Sequence, residues 1–356
     1  MSEQNRESRS KRRHAKKKKM RMQLIIAGSI LLLFVSVFSY LLFGSNTQSF
    51  EKEKYFYIHS NDGYDDVLQR LEKEHLVKSI STFRFFASLV QYKDHVRAGK
   101  YIIDHGMSNF QLVRMLRQGN QVTVNLVINK LRTENDLYRF LSQNLEPDST
   151  DFRKLLDDTV FAKQIGTIKD CGVCIIIPDT YEFWWNTSVE KTLSRLADYY
   201  HQFWNEDRTT KAEAKGFSPL EIMILASIVE EETNYNPEKS LIASVYINRL
   251  KKGMRLQADP TAKYAIGDFS IKRITSEITD FASPYNTYYV TGLPPTPICT
   301  PSQTSIDAVL NADSTSYLYF CAKEDFSGKH NFAETYEAHQ HNATLYQQAL
   351  NARGIH

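Results

Sequence analysis

The hydrophobic pattern begins with an uninterrupted apolar segment near the N-terminus. Leu24 to Phe43 is twenty residues without a charged side chain, about the length that a helix needs to cross the hydrocarbon core of a bilayer. Its bulky side chains continue to its end, whereas a secretory signal peptide has a shorter apolar core and a small-residue cleavage site. The pattern therefore predicts a transmembrane helix at residues 24–43.

The pattern changes to shorter periods after a polar linker at residues 44–54. Residues 55–120 predict a strand, two helices, a strand and a helix, enough for a small α/β module with its own core. In residues 121–215, Val122 to Ile128 alternates apolar and polar side chains as a half-buried strand does. Amphipathic helices are predicted there at residues 133–145, 151–165 and 192–208. The chain as a whole is predicted to be α+β.

One helix near residue 220 has unusually clear start signals. Ser218 is placed as an N-cap, Pro219 fits the first helical position, and Glu221 completes a capping box. The body from Ile222 to Val229 is apolar on nearly every face, which predicts a helix buried inside a domain. This helix should organise the region 216–352.

Three carboxylates, Glu230 to Glu232, end that helix. Residues three, four and seven apart share a helix face, so Glu232 extends the apolar stripe of Leu225, Ile228 and Val229. Burial disfavours ionisation, so Glu232 should have a raised pKa and could act as a general acid. The alternative is a solvated acidic face, which is common at helix ends although it opposes the helix dipole.

Charge is distributed unevenly along the chain. The formal net charge is +3, but residues 1–21 hold ten basic and two acidic side chains, leaving the rest mildly acidic. A basic flank before an apolar span stays in the cytoplasm. We therefore interpret Lys16 to Lys19 as a topogenic signal in a cytoplasmic tail at residues 1–23, rather than as a nucleic-acid site. The part after the span should be extracytoplasmic.

Neither the cysteines nor the histidines predict a metal site. Cys171 and Cys174 form a CxxC without a second pair, so they are core residues or a local disulfide. Histidines 330, 339 and 341 lack the spacing of a ligand set. The aromatic cluster at residues 181–185 is typical of a core, with a sugar platform as the alternative. Asp259 is placed to cap a helix at residues 261–265.

Five motifs in one order resemble the MltG-type (YceG-like) endolytic murein transglycosylases. The resemblance covers the anchor and the whole external part, and the segments 178–181 and 98–101 also fit the family. The segment 171–176 departs from the family pattern. The five motifs are Ala226–Thr233, Val245–Leu250, Gly253–Thr261, Tyr285–Tyr288 and Gly292–Pro295.

This resemblance implies an arrangement of domains and a site. Residues 55–120 look like the family's LysM-like module, residues 121–215 connect, and residues 216–352 would be the YceG-like catalytic domain. The catalytic residue falls on Glu232, which the helix periodicity also selects. The implied substrate-binding residues are Glu230, Gln257, Asp259, Tyr285, Asn286, Tyr288 and His330. For Glu230, which matches the first Glu of the motif, a structural or supporting role is the alternative.

The implied reaction is cleavage of the β-1,4 bond between N-acetylmuramic acid and N-acetylglucosamine, with formation of a 1,6-anhydro end. One Glu can protonate the leaving O4 and then take the proton of the muramic 6-hydroxyl. Asp259 is the residue that could act as a second carboxylate, as in the two-carboxylate glycosidases. The implied partners are peptidoglycan strands, the cell membrane and peptidoglycan synthases, with no cofactor. A non-catalytic glycan-binding scaffold for wall synthesis is the competing hypothesis, with a solute-binding or signalling role as a third.

Overall fold

Two structural units, each with its own hydrophobic core, make up the mixed α+β fold. The computed structural model describes residues 3–271 and 273–354, so the first two residues of the expected basic tail lie outside the described part. The first unit runs to Thr123 and also includes Trp184–Asn186. The second unit contains Val124–Phe183 and the chain from Thr187 onward.

The first unit has the order of elements that the sequence predicts for residues 55–120. Strands β1 and β2 pair antiparallel, with Phe56 opposite Tyr101, and both of these rings are fully buried. Ser108 and Gln111 form the predicted capping box at the start of the last helix, and Gly119 ends that helix in a left-handed conformation. The elements are α1 Glu3–Phe43, β1 Lys54–Ile58, α2 Tyr64–Lys73, α3 Ile80–Leu89, β2 Gly99–Ile103 and α4 Asn109–Gln118.

Helix α1 contains the predicted apolar span. Its segment Lys16–Phe43 has a mean hydropathy of 2.5 over its most apolar stretch and is long and apolar enough to cross a membrane. Large side chains such as Leu32 and Phe34 are about two-thirds or more exposed, which suits a helix whose surroundings are lipid. The prediction of one N-terminal helix suited to a bilayer is confirmed.

The second unit is built around a buried helix, α10. The capping box of Ser218 and Glu221 is present, and every residue from Ile222 to Val229 is buried, as the sequence predicts. Helices α11 and α14 pack against it. The elements are β3 Thr123–Val127, α5 Glu134–Asn144, α6 Ser149–Asp157, α7 Thr159–Gln164, β4 Thr180–Trp184, α8 Val189–Phe203, α9 Glu206–Lys215, α10 Pro219–Glu232, α11 Lys239–Lys251, α12 Asp259–Ile266, α13 Ser276–Thr279, α14 Gln303–Leu310, β5 Tyr319–Ala322, β6 His330–Ala333 and α15 Tyr336–Ala352.

Two helices predicted as continuous are each divided in two, so both predictions are wrong in their extent. Asp158 has an extended backbone and its carboxylate accepts from the Val160 N–H at 2.8 Å, which begins α7. Asn205 likewise accepts from the Arg208 N–H at 3.0 Å and begins α9. Short Asp and Asn side chains favour caps over helix interiors because they bond the local backbone. The helical spacing of apolar residues continues through both breaks, so the hydrophobic pattern alone does not reveal where one helix ends and the next begins.

The segment that departs from the family pattern is closed by a disulfide. Cys171 and Cys174 are bonded and buried. The carboxylate of Glu134 accepts from the backbone N–H groups of Gly172 and Val173 at 2.9 and 3.0 Å. This loop is therefore a local disulfide inside the core, one of the alternatives that the sequence left open.

Candidate active site

A polar groove of about 340 Å³ opens at the C-terminal end of α10. Its walls come from α11, from the segment 256–259 and from the β5–β6 hairpin, all within the second unit. Four of the sequence-predicted site residues line it together with Glu232, while three others do not. The lining residues are Glu232, Tyr246, Arg249, Leu256, Gln257, Asp259, Tyr288, Phe320, Cys321, Ala322, His330 and His339.

Glu232 is the last residue of α10 and lies at the floor of this groove. The hydroxyl of Tyr246, on α11, donates to Glu232 Oε1 at 2.5 Å. Tyr246 is 1% exposed, so the donor is fixed by the core around it. One carboxyl oxygen of Glu232 is thus held in place by the protein, at the lining of the groove.

The surroundings of Glu232 favour its protonated form. Burial raises the pKa of Glu232 to about 7, and the negative charge of Asp259 acts in the same direction. The Tyr246 hydrogen bond and Lys263 oppose this shift. A carboxyl group with a pKa near neutrality can both give and receive a proton, which is the property that general acid–base catalysis requires.

Glu230 has the opposite preference. Burial opposes its ionisation, but hydrogen bonds from Ser302 and Ser305 and the ammonium of Lys239 outweigh it, so the pKa of Glu230 lies below its ordinary value. Ser302 Oγ and Ser305 Oγ each lie 2.5 Å from Glu230 Oε2, and Lys239 Nζ lies at 3.1 Å. Glu230 is therefore an ionised structural group that ties α10 to α11 and to the start of α14.

Glu231 lies on a different side of the helix end from Glu232. Its carboxylate pairs with Lys130 Nζ and Arg132 Nη2, each at 3.1 Å. The three consecutive carboxylates thus have three different sets of partners. A solvated acidic face, the alternative interpretation of this triplet, does not describe the structure, because Glu230 and Glu231 side chains are only 14% and 16% exposed.

Asp259 lines the groove and does not cap a helix, so the capping prediction is wrong. Ala258 occupies the N-cap position, and Asp259 is the first residue of α12. The Tyr288 hydroxyl donates to Asp259 Oδ1 at 2.5 Å. Because Pro260 follows and fits the first turn of a helix, α12 begins one residue earlier than a cap at position 259 would allow.

Gln257 is placed in the groove by its backbone and by Arg249. Gln257 has a φ of 51°, a left-handed conformation that costs a residue other than glycine about 1–3 kcal/mol. Its N–H donates to the Thr287 carbonyl at 3.1 Å, and Arg249 Nη1 lies 3.2 Å from its side-chain oxygen. The amide of Gln257 is therefore held at the groove wall with its orientation set.

His330 lies at the start of β6, opposite Ala322 of β5. Its Nδ1 lies 2.9 Å from Glu238 Oε2, and its backbone N–H lies 3.3 Å from the other oxygen of the same carboxylate. Glu238 therefore fixes both the backbone and the ring of His330. The sequence indicates His330 as a site residue, but gives no sign of Glu238 as its partner.

Tyr285 and Asn286, also expected at the site, do not line the groove. Asn286 is fully buried, and its side-chain amide donates to the carbonyls of Ile278, Thr279 and Phe281. The Tyr285 hydroxyl pairs with the Thr296 hydroxyl at 2.8 Å. Both side chains stabilise loops behind the groove, so their positions favour a structural role.

Tyr246 and Arg249 are groove residues that sequence reasoning missed. They are three residues apart on α11, so they share one face of the helix. Arg249 is largely buried and donates to the carbonyls of Leu318 and Leu256, each at 2.7 Å. The sequence signal that could have revealed them is a Tyr and an Arg three residues apart, and so on one face, within a largely apolar helix.

Within the described part of the chain, no three His, Cys, Asp or Glu side chains come together as the ligands of a metal would. His330 and His339 both line the groove, but the carboxylate nearest to His330 is already hydrogen-bonded to its ring.

Comparison with known proteins identifies the family of the chain that forms this groove. The model of a family described as YceG-like matches residues 56–344, which is most of the chain and includes every groove residue. The chain belongs to the YceG-like family.

Two similar proteins of known name are endolytic murein transglycosylases. The one from Bacillus subtilis (strain 168) is 30% identical over 327 residues, which cover 83% of this YceG-like chain and 85% of the relative. The one from Streptococcus pneumoniae serotype 2 is 27% identical over 303 residues, covering 76% of this chain. That alignment covers 54% of the S. pneumoniae protein, so the chain spans about half of it.

A crystal structure of a yceG-like protein from Listeria monocytogenes, at 2.6 Å, has a similar fold. Its TM-score with this chain is 0.53 at 27% identity, over 82% of this chain and 99% of that one. The mixed α+β architecture described above is therefore that of a YceG-like protein.

Proposed function

We propose that this chain is an endolytic peptidoglycan lytic transglycosylase that acts on nascent glycan strands and so ends their elongation. It cleaves the β-1,4 bond between N-acetylmuramic acid and N-acetylglucosamine and leaves 1,6-anhydro ends. The observation that carries the proposal is Glu232, a carboxyl group with a pKa raised to about 7 at the floor of a polar groove. Membership of the YceG-like family and the names of two relatives support the same reaction.

Glu232 is the catalytic residue in this scheme and takes part in both steps. In its protonated form it gives its proton to O4 of the leaving sugar as the bond between C1 and O4 breaks. As a carboxylate it then takes the proton of the muramic 6-hydroxyl, whose oxygen forms the new bond to C1. The proton taken from the 6-hydroxyl replaces the one given to O4, so Glu232 ends in its protonated form and no water is consumed.

The other groove residues bind and orient the glycan. Tyr246 fixes one oxygen of Glu232, while Gln257, Asp259, Tyr288 and His330 present amide, carboxylate, hydroxyl and imidazole groups to sugar hydroxyls. Asp259 is the residue that could act as a second carboxylate and admit a hydrolytic route. The Tyr288 hydroxyl that donates to it occupies one of its oxygens, which favours the single-carboxylate reaction. Glu230, Tyr285 and Asn286 support the site from behind.

The arrangement of the chain in the cell follows from its charge pattern. Residues 1–23 are proposed as a cytoplasmic tail and residues 24–43 as the membrane anchor, because basic flanks stay inside. A linker at residues 44–54 then joins a LysM-like, glycan-contacting module at residues 55–120. After a connecting region at residues 121–215, residues 216–352 form the catalytic domain. The external part lies outside the cytoplasm, with peptidoglycan synthases as its neighbours.

Product analysis tests the proposed reaction. The full chain and its Glu232→Gln variant are incubated with peptidoglycan, and the fragments are identified by mass spectrometry. The wild-type chain should produce new internal 1,6-anhydro ends, and Glu232→Gln should produce none. Reducing ends in their place would indicate a hydrolase.

The matched control is Glu231→Gln, which changes the neighbouring carboxylate to an amide. Glu231 faces Lys130 and Arg132 and does not line the groove, so this variant should still cleave once circular dichroism shows that it is folded. Cleavage by Glu232→Gln at the wild-type rate would remove Glu232 from the mechanism, whereas absence of cleavage by the folded wild-type chain would favour a non-catalytic scaffold.

A further inference from the structure

The first unit exposes an apolar surface that the proposed chemistry does not use. It lies at the end of α3 and the start of α4, and its four members are between 41% and 57% exposed. Exposed apolar side chains that cluster together commonly mark a surface that contacts protein or membrane. This apolar patch consists of Phe85, Leu89, Val90 and Phe110.

The apolar patch is continuous with the C-terminal end of α1. The ring of Phe38 packs against Phe86 at a centroid distance of 5.7 Å, and Phe43 packs against Phe110 at the same distance. The Asn109 side-chain amide donates to the Leu41 carbonyl at 3.0 Å. A cleft of about 320 Å³ is lined by α1 residues together with Leu89, Val90 and Phe110. The last turns of α1 are therefore packed against α3 and α4.

The length of the apolar span places this contact at the depth of the bilayer. Residues 24–37 alone are 14 residues and would span about 21 Å, which is short of the roughly 30 Å of a hydrocarbon core. The span therefore needs the last turns, from Phe38 to Phe43. Phe38 lies about 7.5 Å of helix rise before Phe43. Side chains that flank Phe38 then lie within about 7.5 Å of the boundary between acyl chains and headgroups, the depth to which interfacial helices bury their apolar face.

The charges around the apolar patch fit an anionic lipid surface. Helices α3 and α4 together carry three arginines, Arg84, Arg114 and Arg117, and no acidic residue. The Arg114 guanidinium lies 5.9 Å from the Phe110 ring centroid. Helix α2 of the same unit, by contrast, has three acidic and two basic residues. Interfacial helices typically combine buried apolar side chains with basic residues that face anionic headgroups.

We propose that the apolar patch is seated in the outer interface of the lipid bilayer, with Arg84, Arg114 and Arg117 against anionic headgroups. The partner is the lipid surface. This inference rests on the proposed anchoring of the chain through α1. The first unit is then held on the membrane at two places, by the span and by the patch, and its depth is fixed.

Fluorescence quenching in vesicles tests this placement. The full chain, with Cys321 replaced by Ala so that the remaining free thiol is the buried Cys299, is given one new cysteine that carries an environment-sensitive dye. The positions are Leu89→Cys in the patch, Leu33→Cys in the span, and Asn61→Cys in the exposed turn before α2 as the aqueous control. Vesicles of phosphatidylcholine with phosphatidylglycerol contain lipids that carry a nitroxide near the headgroup or near the chain end.

The dye at position 89 should have blue-shifted emission and be quenched more by nitroxides near the headgroup than by those near the chain end. The dye at position 33 should be quenched most near the chain end, and that at position 61 by neither. Replacing Arg114 with Gln should reduce the quenching at position 89 in vesicles with phosphatidylglycerol, and less in pure phosphatidylcholine.

Three results would overturn the inference. Quenching at position 33 without quenching at position 89 would leave the anchor in place and show that the patch stands clear of the lipid. A blue shift at position 89 that no lipid nitroxide quenches would show that protein covers the patch. Absence of quenching at both positions would remove the anchor, and the inference with it, while cleavage of peptidoglycan would remain a separate result.

Discussion

Glu230 and Glu232 are two residues apart at the end of α10, and their environments separate their protonation states. Hydroxyl and ammonium donors hold Glu230 ionised, while burial holds Glu232 protonated until the pH approaches 7. A pair of carboxyl groups with pKa values displaced in opposite directions assigns their roles, since one can supply a proton and the other only charge.

Glu232 should make stability depend on pH. Its pKa rises from 4.5 to about 7 on folding, so the native state binds more protons than the unfolded state between these values. The stability associated with this group is full below pH 4.5 and is lost as the pH rises through about 7, by about 3 kcal/mol at most. Glu232→Gln cannot ionise. Thermal unfolding should therefore show the stability of the variant rising relative to that of the wild type between pH 4.5 and 8. A stability difference that stays constant over this range would contradict the raised pKa.

Tyr246 should set the pH range of activity without touching the bond that breaks. Its hydroxyl stabilises the ionised form of Glu232, so Tyr246→Phe should raise the pKa of Glu232 further. The alkaline limb of kcat/KM, where the acid is lost, should then move to higher pH, and kcat should fall because the carboxylate is less well held. The measurement is the pH profile of peptidoglycan cleavage. Tyr289→Phe, at an exposed position, is the control and should leave the profile unchanged.

At the scale of residues, the sequence predicts which segments come near the groove better than which of their side chains face it. Helix periodicity places Glu232 on the apolar stripe, and the family resemblance points to Gln257, Asp259, Tyr288 and His330, which the groove brings together. Asn286 belongs to the same motif as Tyr288, yet its NH2 group donates to backbone carbonyls and its amide oxygen accepts from the Tyr288 N–H. Which side of a loop faces the groove depends on tertiary contacts such as these, and sequence spacing does not contain them.

At the scale of elements, Glu230 joins three helices. Its carboxylate bonds the N-cap Ser302 of α14 and pairs with Lys239 at the start of α11, and a negative charge at the N-terminus of α14 is favoured by the helix dipole. The Lys239 side chain is only 4% exposed. Loss of Glu230 would leave a buried cation without a partner.

Glu230→Gln should therefore reduce the free energy of unfolding by about 3–5 kcal/mol, as expected for a broken buried ion pair. The double variant Glu230→Gln with Lys239→Met removes both charges and should be more stable than Glu230→Gln alone. Denaturant unfolding compares them, with the exposed Glu213→Gln as the surface control. Lys239→Met alone completes the cycle. If the double variant loses as much stability as Glu230→Gln and Lys239→Met lose when their separate effects are added, the two charges are not coupled as the structure indicates.

Element order is well predicted from the sequence, and element ends less so. The first unit and α10 follow from alternation, periodicity and capping boxes, because these signals are local. The breaks at Asp158 and Asn205 were missed because the apolar period runs through them. In each case one side chain, Asp158 or Asn205, accepts a hydrogen bond from the nearby backbone and so begins a new helix. The apolar residues on both sides of the break still pack into the core.

At the scale of the whole molecule, the uneven charge predicts topology. The basic tail should stay in the cytoplasm and the chain after Phe43 should be outside it. Protease added to intact cells stripped of their wall should digest the external part. It should leave an N-terminal epitope tag on a small membrane-bound fragment that contains the tail and the span. Protease added to inverted membrane vesicles should remove the tag instead. The reverse pattern would contradict the proposed orientation, and an α1 that is released with the soluble fraction would contradict the anchor.

The central claim is that the pKa of Glu232 in its groove lies near neutrality, so that a large share of the Glu232 side chains carry a proton at neutral pH, and a direct titration tests it. The side-chain carboxyl carbons of glutamate are labelled with ¹³C, and the Glu232 resonance is assigned as the one missing in Glu232→Gln. Its chemical shift, followed against pH in the full chain, should change with a midpoint near 7. A midpoint near 4.5, the ordinary value for a glutamate, would mean that the carboxyl is ionised at neutral pH and cannot be the general acid.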